Sequence, residues 1–171
     1  MTKRIILIML LYSFGIGYAF CQNDSPPRDV GIQYLGHVGI GVSDLDKAMH
    51  FYCDQLGFTE VFRLPAHGSP MLVYLRVNNN NFVELFPGSE KRTESGSKRT
   101  GLQHLGFWVK DLQTTLRTLQ ARGYPIPEDA FKRAAQVMAD GTFLYFIKDP
   151  DGNAIELSQM LPDSKQAISQ R

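Results

Sequence analysis

Residues 37–45 and 104–112 are two copies of one segment, His37-Val38-Gly39-Ile40-Gly41-Val42-Ser43-Asp44-Leu45 and His104-Leu105-Gly106-Phe107-Trp108-Val109-Lys110-Asp111-Leu112. Histidine, glycine, valine, aspartate and leucine all recur at one spacing (His37 and His104, Gly39 and Gly106, Val42 and Val109, Asp44 and Asp111, Leu45 and Leu112). A later pair of segments, Phe82-Val83-Glu84-Leu85 and Ala154-Ile155-Glu156-Leu157, repeats in the same sense. An internal repeat restricts the fold before any propensity is consulted, because one supersecondary unit is built twice. Each copy also carries an imidazole and a carboxylate, donors that suit a divalent metal.

A chain of 171 residues accommodates one compact domain or two small modules with a common core. With 43% hydrophobic and 20% charged residues it has the composition of a globular protein, not of a disordered one. The formal charge of +1, with no stripe of Lys and Arg interleaved with aromatics, argues against nucleic acid as a partner. Lys91-Arg92 and Lys98-Arg99 stand among Glu, Ser, Thr and Gly and read as a solvated loop.

The N-terminus reads as an export signal over residues 1–22. Lys3-Arg4 precede an apolar run to Phe20, and small residues follow at Ala19 and Cys21. The run is short for a spanning helix, which needs about 20 apolar residues, so no stable membrane insertion is expected after processing. Cys21 as a lipid anchor is disfavoured by bulky Phe20 before it. The expected location is periplasmic or secreted, with residues 23–34 as a lead-in. Cys53 is then left without an intrachain disulfide partner and is read as a small buried hydrophobe.

The expected class is α+β, with module one at 35–87, a linker at 88–101, module two at 102–160 and a frayed tail at 161–171. Each module reads strand, helix, then three strands. Residues 34–42 alternate, which puts Val38, Ile40 and Val42 on one face and His37, Gly39 and Gly41 on the other. Ser43 or Asp44 can cap a helix whose apolar positions are Leu45, Ala48, Met49, Tyr52 and Leu56, with Gly57 closing it. Residues 60–63 form a short strand, and 71–77 and 82–86 a hairpin across Asn78 to Asn81. In module two the strand is 102–109 and the helix 111–122, closed by Gly123. Residues 134–138 are a strand, and 142–148 and 154–159 a hairpin across Asp149-Pro150-Asp151-Gly152-Asn153.

Strand alternation then places Glu84 opposite to Val83 and Leu85, and Glu156 opposite to Ile155 and Leu157. His37, Glu84, His104 and Glu156 therefore all face away from the helices. Gly39, Gly41, Gly106 and Ala154 leave space beside them, while Phe82, Phe86 and Trp108 can wall a pocket. An unpaired buried carboxylate is costly, so two facing one cavity favour a cation. His50, on the exposed side of the first helix, and His67, in a loop, are read as bystanders.

These residues resemble the vicinal oxygen chelate superfamily, which includes glyoxalase I, methylmalonyl-CoA epimerase, fosfomycin-resistance proteins and extradiol dioxygenases. The resemblance spans residues 35–160. It is carried by His37 to Val42 followed by Ala48, Phe51-Tyr52 and Leu56-Gly57-Phe58, and by Asp149 to Asn153 leading into Ile155-Glu156-Leu157. It implies paired βαβββ modules forming a cupped mixed sheet with helices on the outer face. It also implies His37, Glu84, His104 and Glu156 as ligands of one nickel, cobalt, zinc or manganese ion, in a homodimer, with the site formed within one chain or across two. The His-Glu-His-Glu set is that of glyoxalase I, whereas Leu85-Phe86-Pro87-Gly88 after Glu84 lacks the polar groups with which glyoxalase I holds glutathione.

The resemblance implies a metal-dependent lyase or isomerase acting on a small oxygenated substrate, with Glu156 as principal base and Glu84 opposite it. Two alternatives stand beside it. With iron, His37, His104 and Glu156 resemble the two-histidine-one-carboxylate set of a ring-cleaving dioxygenase. Without metal, the cup suits a non-catalytic binding protein of the bleomycin-resistance kind.

Overall fold

A computed structural model describes residues 30–90 and 101–170. The expected export signal and the basic stretch of the expected linker lie outside the described residues. Contacts divide the chain into Met1–Tyr34 and Leu35–Arg171. Of the first unit, the described residues from Val30 to Tyr34 are exposed. No helix among the described residues is long and apolar enough to cross a membrane.

The second unit is α+β. Strand β1 (His37–Val42) leads into α1 (Leu45–Met49), which continues as a π-helical segment (His50–Gln55). Strands β2 (Thr59–Leu64), β3 (Leu72–Arg76) and β4 (Phe82–Pro87) follow, in a sheet of order β1-β4-β3-β2. In the second module, β5 (Leu105–Trp108), α2 (Leu112–Ala121), α3 (Glu128–Arg133), β6 (Thr142–Lys148) and β7 (Ala154–Met160) give a sheet of order β5-β7-β6. The first strand of each module runs parallel to the last, β1 beside β4 and β5 beside β7, and the remaining pairs are antiparallel.

Local chemistry explains the elements. Asp44 caps α1 by accepting from the Lys47 amide, and Asp111 caps α2 by accepting from Thr114. The Leu56 amide reaches the Phe51 carbonyl, five residues back, at 3.0 Å, which is the π-type bond. That widening brings Phe51, Tyr52 and Gln55 to the buried side together. Gly57 ends the segment at φ +83°, where an added Cβ would also stand 3.0 Å from the Arg122 guanidinium. Val42, Val73, Leu75, Leu85, Leu112, Leu116 and Ile155 are fully buried in one apolar cluster joining the modules on their helical sides.

Two expectations are corrected. Residues 134–138 are not a strand. Pro127 opens α3, with Glu128 and Asp129 in its first turn, Lys132 and Arg133 in its last and Ala130 buried beneath it. The chain after Ala134 is turn and bend, so the second sheet has three strands. Nor is the tail frayed throughout. Ser164, fully buried, caps α4 (Lys165–Ser169), while the Lys165 amide and the Gln166 side chain both bond Asp140.

The modules pack through their helical sides, as two sheets rather than one. Tyr52, fully buried on the π segment, donates to Asp149 Oδ2 at 2.9 Å. Ser43 donates to Asp151 from its amide at 3.0 Å and from its hydroxyl at 2.5 Å. Arg122 donates to the Gln55 carbonyl at 3.1 Å, and Phe58 meets Phe107 edge-on. Among the described residues β1 and β5 are outer strands of their sheets, as are β2 and β6 at the opposite ends.

Candidate metal centre

The two repeats build the same local geometry. In the parallel pair of β1 with β4, Glu84 stands across from Gly39; in the pair of β5 with β7, Glu156 stands across from Gly106. With no side chain between them, each carboxylate reaches over the glycine to the histidine two residues earlier. His37 Nε2 lies 3.2 Å from Glu84 Oε2, and His104 Nε2 lies 3.4 Å from Glu156 Oε2. The histidine side chains are 49% and 42% exposed and the glutamates 18% and 21%, so each pair is anchored at its acid and open at its imidazole.

The donors fit a metal. Two nitrogen or oxygen ligands, each about 2.1 Å from one ion, stand about 3 Å apart at tetrahedral or octahedral angles. Both His–Glu ion pairs, at 3.2 and 3.4 Å, have that separation. Gly39 and Gly106 differ in what surrounds them. A Cβ on Gly39 would meet Phe86 Cε2 at 3.0 Å, whereas one on Gly106 would meet nothing within 4 Å. The first pair is thus roofed by an aromatic ring, and the second opens onto free space.

The four residues come together as two pairs. Among the described residues, no three His, Cys, Asp or Glu side chains converge closely enough to hold an ion. Both histidines line one cleft of about 640 Å³ between the modules, with Phe82, Trp108 and the edge of β5, but neither glutamate does. His50 is paired with Asp54 at 2.8 Å on the exposed side of the π segment.

Sequence reasoning missed part of the surroundings. Tyr74 shares the face of Glu84, its partner across β3 and β4, and its ring lies 5.8 Å from that of His37. Phe146 is the partner of Glu156 across β6 and β7 and meets His104 edge-on at 5.4 Å. Alternation supplied the signal for both: Val73 and Leu75 face the core, so the residue between them faces the site.

Comparison with known proteins agrees with this architecture. The sequence profile of the Glyoxalase/Bleomycin resistance protein/Dioxygenase superfamily matches residues 34–157. The chain is 30% identical to the mitochondrial methylmalonyl-CoA epimerase of Mus musculus, over 86% of this chain and 83% of that one. It is 27% identical to a probable lactoylglutathione lyase of Synechocystis, over 74% and 95%. In solved structures it is similar to a glyoxalase family protein from Enterococcus faecalis, with a TM-score of 0.56 at 25% identity over 74% and 97%. Members of this group are often enzymes, typically use a divalent metal and commonly act as dimers on small substrates. With its repeated strand-helix module, its two sheets and this match over most of its length, the chain belongs to the glyoxalase/bleomycin resistance protein/dioxygenase superfamily.

Proposed function

We propose that this protein is a metal-dependent lyase or isomerase that moves a proton beside a carbonyl, and that its centre joins His37 and Glu84 of one copy to His104 and Glu156 of a second. The observation that carries the reading is the pair of matched His–Glu units, 3.2 and 3.4 Å across, on separate sheets whose β1 and β5 edges are open. Among the described residues the two units do not converge on one point, which supports a centre completed by a second copy. A homodimer in which β1 of each copy meets β5 of the other supplies four donors twice.

A nickel, cobalt, zinc or manganese ion bound there supplies a Lewis acid for two neighbouring substrate oxygens. The chain's own residues do the rest. Glu156 takes the proton from the carbon beside the carbonyl, and Glu84, across the substrate, returns it. Gly106, with open space beside it, leaves volume for the substrate, and Phe86, packed over Gly39, and Trp108 wall it. Lactoylglutathione and methylmalonyl-CoA, the compounds for which two relatives are named, both carry a carbon-bound hydrogen beside a thioester carbonyl, which is the chemistry these carboxylates suit.

Metal analysis by mass spectrometry tests the reading. The expected content is about one nickel, cobalt, zinc or manganese ion per chain, lost in a His37→Ala/His104→Ala variant. The loaded protein is expected to exchange solvent deuterium into lactoylglutathione or methylmalonyl-CoA. Glu156→Gln is expected to slow that exchange by about 10²-fold or more. Full exchange activity in that variant overturns Glu156 as base, and a chain that binds no metal after reconstitution overturns the centre.

A further inference from the structure

A histidine that holds a metal through one ring nitrogen is ordinarily fixed by a hydrogen bond from the other, given to a carboxylate or a backbone carbonyl. In both units Nε2 is the nitrogen beside the carboxylate, 3.2 Å away in His37 and 3.4 Å in His104. Nδ1 of neither ring has a hydrogen-bond partner among the described residues. Both imidazoles are nearly half exposed, so solvent leaves them room to turn. Their orientation has to come from something other than hydrogen bonding.

Each module supplies an aromatic ring at the same place in the repeat. Tyr74 is the cross-strand partner of Glu84, and Phe146 that of Glu156. The Tyr74 ring stands 5.8 Å from that of His37 at 62°, and the Phe146 ring 5.4 Å from that of His104 at 80°. Edge-on contacts of this kind set the positive edge of one ring against the negative face of the other and so favour one angle. The last strand of each module therefore meets its histidine with a carboxylate, and the strand beside it with a ring.

The two rings differ in their support. Tyr74 lies between Phe62 and Phe82, 4.9 Å away at 11° and 5.1 Å away at 28°, which holds it on both faces. Phe146, on the outer strand β6, is 46% exposed and has no such flanking rings among the described residues. A hydroxyl is present on Tyr74 and missing from its counterpart. What the modules have in common is the flat ring, not the polar group.

We infer that Tyr74 and Phe146 are positioning residues, each holding one histidine in the rotamer that directs Nε2 to the metal. This rests on the metal centre proposed above. It gives to a ring the part that a hydrogen-bonded partner has in other histidine metal sites, where losing the partner weakens metal binding about tenfold or more.

Cobalt(II) titration of the metal-free protein against a chelating indicator is the test. Tyr74→Leu and Phe146→Leu keep apolar bulk without a flat ring, and each is expected to bind cobalt about tenfold more weakly than wild type. Tyr74→Phe and Phe146→Tyr keep the ring and are expected to bind within about twofold of wild type. The metal-free protein gives a second readout by proton NMR. The His37 Cε1 proton is expected to carry a ring-current displacement that Tyr74→Leu removes and Tyr74→Phe retains, while an unmoved His104 signal shows the fold intact. Leucine variants that bind cobalt as wild type does overturn the role and leave the metal centre standing. So does a loss in Tyr74→Phe equal to that in Tyr74→Leu, which assigns the effect to the hydroxyl. A wild type that takes up no metal overturns the centre and this role with it.

Discussion

Tyr52 and Asp149 show how one contact between modules is held. The Tyr52 hydroxyl is fully buried and donates to a carboxylate that also accepts from the Asp151 and Asn153 amides and the Asn153 side chain. Burial, and then the charge and hydrogen bond of Asp149, push the Tyr52 hydroxyl well above the ordinary tyrosine value of about 10. A group whose proton is held more tightly in the folded state stabilises fully below its unfolded value and loses that contribution as pH rises. The expected result is a fall in unfolding free energy above pH 10 of about 1.4 kcal/mol per pH unit from this group. Tyr52→Phe is expected to cost about 1–2 kcal/mol at neutral pH and to flatten that fall. Urea denaturation of both proteins from pH 7 to 11 checks it, and equal slopes above pH 10 contradict it.

At the next level up, α4 is the element that most changes the reading of the chain. The sequence after Met160 is polar and carries Pro162, which suggests fraying, yet Ser164 is fully buried and Asp140 binds α4 through the Lys165 amide and the Gln166 side chain. Asp140 also accepts from the amide and hydroxyl of Thr142, so it fastens the start of β6 to the tail. Truncation before Ser164 is expected to lower stability by about 1–3 kcal/mol, read as a lower urea midpoint. A midpoint unchanged by truncation refutes that role. The contrast shows what a sequence exposes. Period-two alternation around Val83, Leu85, Ile155 and Leu157 placed both glutamates on the faces opposite the core, because one local rule decides it. α4 has a local signal in its cap Ser164, but its hold on the fold is Asp140, 26 residues before Gln166, and that partner is not announced by any local pattern; residues 134–138 follow the short helix opened by Pro127, which a search for strands passes over. The division into two sheets was equally hidden, since it rests on Tyr52 and Ser43 meeting a turn roughly a hundred residues away.

For the molecule as a whole, the open β1 and β5 edges make a strict genetic test of the cross-chain centre. In a mixed dimer of a His37→Ala chain with a His104→Ala chain, one centre loses both histidines and the other keeps both. Each variant alone has two damaged centres. Co-expressed and purified by separate tags, the mixed dimer is expected to bind about one metal ion per two chains, where either variant alone binds little. No gain on mixing places all four donors in one chain. On the same reading, β1 and β5 tie catalysis to mass action. Each copy contributes half the ligands of either centre, so dilution below the dissociation constant of the dimer would strip the metal without unfolding a single module. Activity per chain would then fall with protein concentration, and the population of paired copies, rather than the affinity of any one side chain, would set how much enzyme exists.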